Sequence, residues 1–143
     1  MNKIFGEKKN VEYIDRKGAY IIPIKDGKAA VVETNKGYFF LGGGKDLDET
    51  DEDCIIRECM EEVGCKAVLW EYVCSAEAYT EHPQIGFFHP VQSYYLGELV
   101  ETDKTATEKD HKLVWIKCEE LKENLFAEMQ NWALNECCKK RSL

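Results

Sequence analysis

Residues 42–65 read GGGKDLDETDEDCIIRECMEEVGC and set nine acidic side chains against two basic ones. Like charges crowded this closely repel one another, so the cluster must either be solvated or have a cation sitting within it. The order of residues also dictates local shape. Gly42, Gly43 and Gly44 make a turn that allows close backbone approach without side chains in the way. Thr50 and Asp53 have the spacing of a helix N-terminal cap, with further acids in the first turn. Ile55, Ile56, Cys59, Met60 and Val63 then recur at helical spacing and form one apolar face, and Gly64 supplies the stop.

On that helix Glu58, Glu61 and Glu62 occupy positions i, i+3 and i+4, within an arc of about 100°. All three carboxylates project from one side. Two explanations stand from the residues alone: a solvated acidic face, which charge runs commonly are, or a site for a hard divalent cation such as Mg²⁺ or Mn²⁺. Two other motifs are excluded. A phosphate-cradling P-loop needs Ser or Thr after Gly-Lys, and Lys45 is followed by Asp46. A calcium loop counted from Asp46 needs Gly and Glu where Asp51 and Arg57 stand.

Outward from this stretch the chain alternates between apolar runs and turns. GAYIIPI (18–24) and KAAVVE (28–33), separated by KDG, read as a β-hairpin. GYFFLGGG (37–44) reads as a third short strand entering the glycine turn. CKAVLWEYVCSAEAY (65–79) and HPVQSYYLGELV (89–100) read as longer strands, joined by a loop, TEHPQIGFF (80–88). The polar stretch ETDKTATEKDH (101–111) leads to a strand, KLVWIK (112–117). A helical tail follows over about 119–141, with Leu121, Leu125, Trp132 and Leu134 among its buried positions. Strands interspersed with two or three helices indicate an α/β or α+β domain with helices packed on the sheet.

The length of 143 residues suits one domain over 1–143. A formal net charge of −8 argues against a surface built to neutralise polymeric nucleic acid. It leaves small phosphorylated ligands open, because a metal ion can mediate between two anions. No apolar run reaches the length needed to cross a bilayer. The seven cysteines are odd in number, have no C-x2-C pair and follow a polar N-terminus, so they are expected to be free thiols of a reduced, cytoplasmic protein.

The acidic stretch resembles the Nudix box of the Nudix hydrolase superfamily, G-x5-E-x7-R-E-U-x-E-E-x-G-U with U a bulky apolar residue. Here Gly43, Glu49, Arg57, Glu58, Glu61, Glu62 and Gly64 fill every fixed position, and cysteines (Cys59, Cys65) stand at both U positions. The strand order and the stretch VWIKCEEL around Trp115 extend the similarity beyond the box at 43–65. The resemblance implies an α/β/α sandwich with a mixed β-sheet between helices, and hydrolysis of a nucleoside diphosphate linked to another group. It implies that Glu58, Glu61 and Glu62 bind Mg²⁺ or Mn²⁺, with the Gly42 carbonyl as a further ligand and Glu58 also a candidate for activating water. Arg57 and Glu49 would orient the catalytic carboxylates.

Many family members recruit one more acid from a distant loop. Glu108 is the first choice here, ahead of Asp110 and Glu77, and an exposed loop charge is the plain alternative. For substrate, Tyr79, Phe87 and Phe88 are the aromatic candidates to meet a base. Tyr94 and Tyr95 are neighbours on a strand, so only one of the two can line a cleft. His82, His89 and His111 show no mutual spacing of a metal site; His82 reads as a surface residue, and His111 could lie near the cleft mouth. The expected partner is a small-molecule nucleotide, including a triphosphate of the MutT type. The alternative is a Nudix module that senses a nucleotide without turning it over. Many family members are dimers, and no patch in this sequence selects for or against a homodimer.

Overall fold

The computed structural model describes residues 1–141, so the last two positions of the expected 1–143 domain lie outside the described residues. In chain order the elements are β1 (Asn2–Phe5), β2 (Ile14–Lys25), β3 (Lys28–Thr34), β4 (Gly37–Phe39), β5 (Leu41–Gly44), α1 (Asp51–Val63), β6 (Cys65–Ala78), β7 (Thr80–His82), β8 (Gly86–Glu101), β9 (Lys112–Lys117), α2 (Cys118–Leu121) and α3 (Glu128–Lys140).

Strand β2 organises the sheet. It runs parallel to β8 along Ile14–Pro23 and antiparallel to β5 along Gly18–Ile21, and its last residues pair with β3. The full order is β1-β6-β8-β2-β3-β4, with β5 also on β2, β7 on β8 and β9 on β3. Strands β1 and β6 are parallel too, so the sheet is mixed. The expected β2–β3 hairpin closes through Asp26 (φ 53°) and Gly27 (φ 75°), both left-handed, as a type I′ turn requires.

The apolar runs of β2 and β3 are nearly continuous because both faces are covered. Alternate residues serve different layers. Ala19, Ile21, Ala30 and Val32 join Leu41, Cys54, Ile55 and Cys59 in a core under α1. Ile22, Ile24, Ala29 and Val31 face the opposite way, into a core with Leu121, Met129, Ala133 and Leu134 under α2 and α3. The α/β/α layering follows directly from this alternation. All seven cysteines are buried and free.

The helix read from the acidic stretch begins and ends as expected. Thr50 caps it, accepting from the Asp53 N–H at 3.1 Å, while the Asp53 carboxylate accepts from the Thr50 N–H at 3.5 Å. Gly64 ends it at φ 68°, its N–H donating to the Met60 carbonyl. Cys54, Ile55 and Cys59 are buried, and Ile56, Met60 and Val63 are half-buried.

Four expectations are corrected. GYFFLGGG is two strands, because the chain changes partner from β3 to β2 at Phe40. The amide freed at that switch donates to Gln130 Oε1 of α3 at 3.0 Å, which satisfies a buried donor. The loop 80–88 is largely a hairpin, since β7 pairs with the first residues of β8 around a short turn held by His82 Nδ1. The polar N-terminus contains an edge strand, β1, beside Ser75–Ala78 of β6. The helical tail breaks after Leu121, where the buried Asn131 side chain binds both the N–H and the carbonyl of Leu125. Leu121, Leu125 and Leu134 are buried as expected, whereas Trp132 is half-buried and meets Phe5 edge-on.

Removing the α1 cap by Thr50→Ala is expected to lower the unfolding free energy by about 1 kcal/mol. Gly64→Ala is expected to cost more, because a Cβ there would combine a left-handed backbone with a 2.7 Å approach to the Lys104 carbonyl oxygen. Denaturant melts of the two variants beside the parent check both.

Candidate metal and nucleotide site

The glycine run ends β5 directly beside α1, and each glycine has a different neighbour. A Cβ at Gly43 would stand 2.6 Å from Glu58 Cδ, so a side chain there would displace the glutamate. Gly42 sits at φ 140°, against Ala19 and Tyr20 of β2, and its N–H donates to Glu62 Oε1 at 3.0 Å. The Gly44 carbonyl accepts from Arg57 Nη2 at 3.1 Å. The three glycines are therefore not the expected turn but the end of strand β5, paired with Gly18–Tyr20 of β2, and they are bare because helix and strand press on them from both sides.

Arg57 gathers the acids. Its Nε and Nη2 grip the two oxygens of Glu49 at 2.7 and 3.0 Å, a bidentate pair. Its Nη1 reaches Glu58 Oε1 at 2.9 Å and Glu61 Oε2 at 3.3 Å, and Asp46 lies 3.4 Å from Nε. Glu49 also accepts from the Asp46 N–H at 2.7 Å, and the hydrogen bonds from Arg57 and Asp46 pull its pKa down to about 2. Glu58 shifts the opposite way: its burial outweighs Arg57 and raises its pKa. Lys45 and the Tyr95 hydroxyl both bind Asp51, at 3.0 and 2.6 Å, at the start of α1.

Glu62 stands apart from that guanidinium. It is 8% exposed. Burial, and then the charges of Glu58, Glu108 and Glu61, push its pKa up to about 8 against the opposing Gly42 N–H. Glu108 comes to this side because its loop docks on the end of α1: the N–H groups of Thr107 and Glu108 both donate to the Glu61 carbonyl, at 2.9 and 3.0 Å. Glu108, Asp110 and His111 bring their ligand atoms within 4.8 Å of one another, and His111 Nε2 lies 3.7 Å from Glu62 Oε2. Glu77 belongs elsewhere, bound to His89 Nε2 at 3.0 Å and to Asn2 Nδ2 at 2.9 Å.

The three aromatic candidates divide between two groups. Tyr79 stacks on His89 with centroids 4.4 Å apart, and Tyr13 sits edge-on to both Tyr79 and Phe87. Phe88 pairs instead with the His82 ring, as alternation along β8 requires. Of the tyrosine pair, Tyr94 is fully buried in the α3-side core and Tyr95 is half-buried toward α1. A cavity of about 830 Å³ lined by Pro23, Lys25, Trp70, Leu99, Trp115 and Arg141 lies elsewhere and includes none of the box glutamates. Sequence reasoning missed Tyr20 and Arg16, which flank the glycine run from β2. Their signal is the pairing of Gly18 with Gly44, a long-range register that local spacing does not reveal.

Comparison with known proteins agrees with this fold. The family model for the NUDIX domain matches residues 15–135. A comparison with curated proteins finds no match. Among solved structures, the E. coli ORF135 protein superposes with a TM-score of 0.69 at 22% identity, covering 91% of this chain and 93% of that one. A MutT NUDIX hydrolase from Burkholderia pseudomallei gives a TM-score of 0.71 at 21% identity, covering 86% and 98%. A mutator MutT protein from Bacillus halodurans gives 0.61 at 16% identity, covering 85% and 81%. At these identities the structural likeness speaks for the fold. With the family model spanning most of the chain, from β2 into α3, and the box glutamates gathered beside the glycine end of β5, the chain belongs to the NUDIX domain family.

Proposed function

We propose that this protein hydrolyses a diphosphate linkage in a small nucleotide, using Mg²⁺ or Mn²⁺ held by Glu58, Glu61 and Glu62, with Glu108 and the Gly42 carbonyl completing the oxygen set. The observation that carries this reading is the electrostatic imbalance beside the glycine end of β5. Glu58 and Glu62 are shifted toward the neutral form by burial, and the acids around them add to the shift. Arg57 serves Glu49, Glu58 and Glu61, while among the described residues Glu62 has only an amide and a more distant histidine. A set of hard oxygen donors short of positive charge suits a hard divalent cation.

When bound, such an ion neutralises charge gathering on the phosphate oxygens and lowers the pKa of water. The protein's own groups do the rest. Arg57 and Glu49 fix the rotamers of Glu58 and Glu61, a positioning task. Glu58 is the candidate to take the proton from the attacking water. The docked 101–111 loop brings Glu108 and His111 beside Glu62. Tyr79 and Phe87 are proposed as the aromatic contacts for a base, with Phe88 on the other side of β8. The family's activity on nucleoside diphosphate derivatives and the MutT name of two structural neighbours favour a nucleoside triphosphate as the first substrate to try.

Release of phosphate or pyrophosphate from a nucleotide panel, with and without Mg²⁺, tests the reading. Glu61→Gln should keep a cooperative melt and lose Mg²⁺-dependent turnover by at least about a hundredfold. Unchanged turnover in that variant sinks the assignment, and binding by the parent without turnover across the panel points to a sensor.

A second measurement follows from Glu62. Its folded pKa lies above the ordinary 4.5, so the folded state holds a proton that the unfolded state releases. Its contribution is present in full below pH 4.5 and is lost as pH rises through about 8. In EDTA the parent should lose stability relative to Glu62→Gln across that window, and Mg²⁺ should restore more of it at pH 8 than at pH 6. Parallel melts that keep a constant gap between parent and variant would contradict this.

A further inference from the structure

Arg16 lies on β2, two residues before Gly18 and four before Tyr20, so all three face the same side of the sheet. Gly18 pairs directly with Gly44, and Tyr20 with Gly42. The Arg16 guanidinium occupies the space that a side chain on Gly44 would fill, with Nε and Nη2 both against that position. Among the described residues no carboxylate forms an ion pair with Arg16, although acids crowd the opposite side of the same glycine run. The Tyr20 phenol connects the two sides: it feels the charges of Glu62 and Glu58 as well as that of Arg16. The glycine end of β5 thus has carboxylates on its α1 face and an uncommitted guanidinium on the opposite face.

Alternation along β5 fixes this arrangement. Gly43 points to Glu58, while Gly42 and Gly44 point to Tyr20 and Arg16. A chain of phosphates laid across the end of β5 would have one group near the glutamates and its neighbour within reach of Arg16. A guanidinium offers paired N–H donors in the plane that a phosphate accepts, and it stays charged at any working pH.

We propose that Arg16 binds the substrate phosphate next to the one attacked, across Gly44. This rests on the hydrolase reading above, and its test separates the two. The probe is inorganic pyrophosphate, titrated calorimetrically in the presence of Mg²⁺. Arg16→Gln is expected to weaken binding by about tenfold, the range for a charge-assisted pair. Gly44→Ala should weaken it too, because its methyl group pushes the guanidinium aside. Lys28→Gln, an equal charge loss at the far end of the β2–β3 hairpin, should leave binding within about twofold of the parent.

With the best nucleotide of the panel, Arg16→Gln should raise KM by about the same factor and leave kcat within about threefold, as loss of uniform binding does. The assignment of Arg16 is overturned by equal pyrophosphate binding in parent and Arg16→Gln, by no binding in the parent, or by an equal loss in Lys28→Gln. A drop in kcat with KM unmoved also overturns it. If the parent binds pyrophosphate through Arg16 yet turns over no nucleotide, the hydrolase reading fails and the phosphate contact stands.

Discussion

The guanidinium of Arg57 holds together a group of acids that would otherwise drive itself apart. It engages Glu49 from the loop before α1, Glu58 and Glu61 from the helix, and the Gly44 carbonyl at the end of β5. Two charges at contact distance interact by several kcal/mol at protein-like dielectric, so several unpaired carboxylates at these separations would open the loop. A single planar donor group therefore sets the distance between strand end, loop and helix. Because its contacts form a fork of fixed angles, a lysine at the same place would supply the charge without the geometry.

The parts of the fold that depend on neighbours in sequence were legible before the coordinates. Thr50, Asp53 and Gly64 bound α1 through bonds spanning three or four residues, and Asp26-Gly27 turns a hairpin through its own backbone preferences. The one-sidedness of Glu58, Glu61 and Glu62 is likewise a property of helical pitch alone. Elements that exist only through a distant partner were not legible. β1 is a tetrapeptide, NKIF, too short to signal a strand by itself, that pairs with the edge of β6. The split at Phe40 depends on Gln130, ninety residues later.

The site divides along the same line. The box residues arrive together because one helix and one turn carry them. Glu108 reaches them only because two backbone amides of its loop cap the Glu61 carbonyl, a bond that spacing cannot announce. Tyr79, Phe87 and Phe88 were grouped by type, and strand alternation separates the last from the other two. Tyr20 and Arg16 passed unnoticed because their significance lies in what stands opposite them on β5.

The distribution of thiols between the two cores has a consequence of its own. Cys54 and Cys59 are sealed between the sheet and α1, whereas Cys74, Cys118, Cys137 and Cys138 lie under α2 and α3. With the sheet intact, neither set can meet the other, which keeps cross-layer disulfides from forming in the native state. A thiol reagent in solution reaches each set only when its own layer parts from the sheet. The rates of alkylation at Cys59 and Cys137 are thus independent clocks, one for each side of the sandwich.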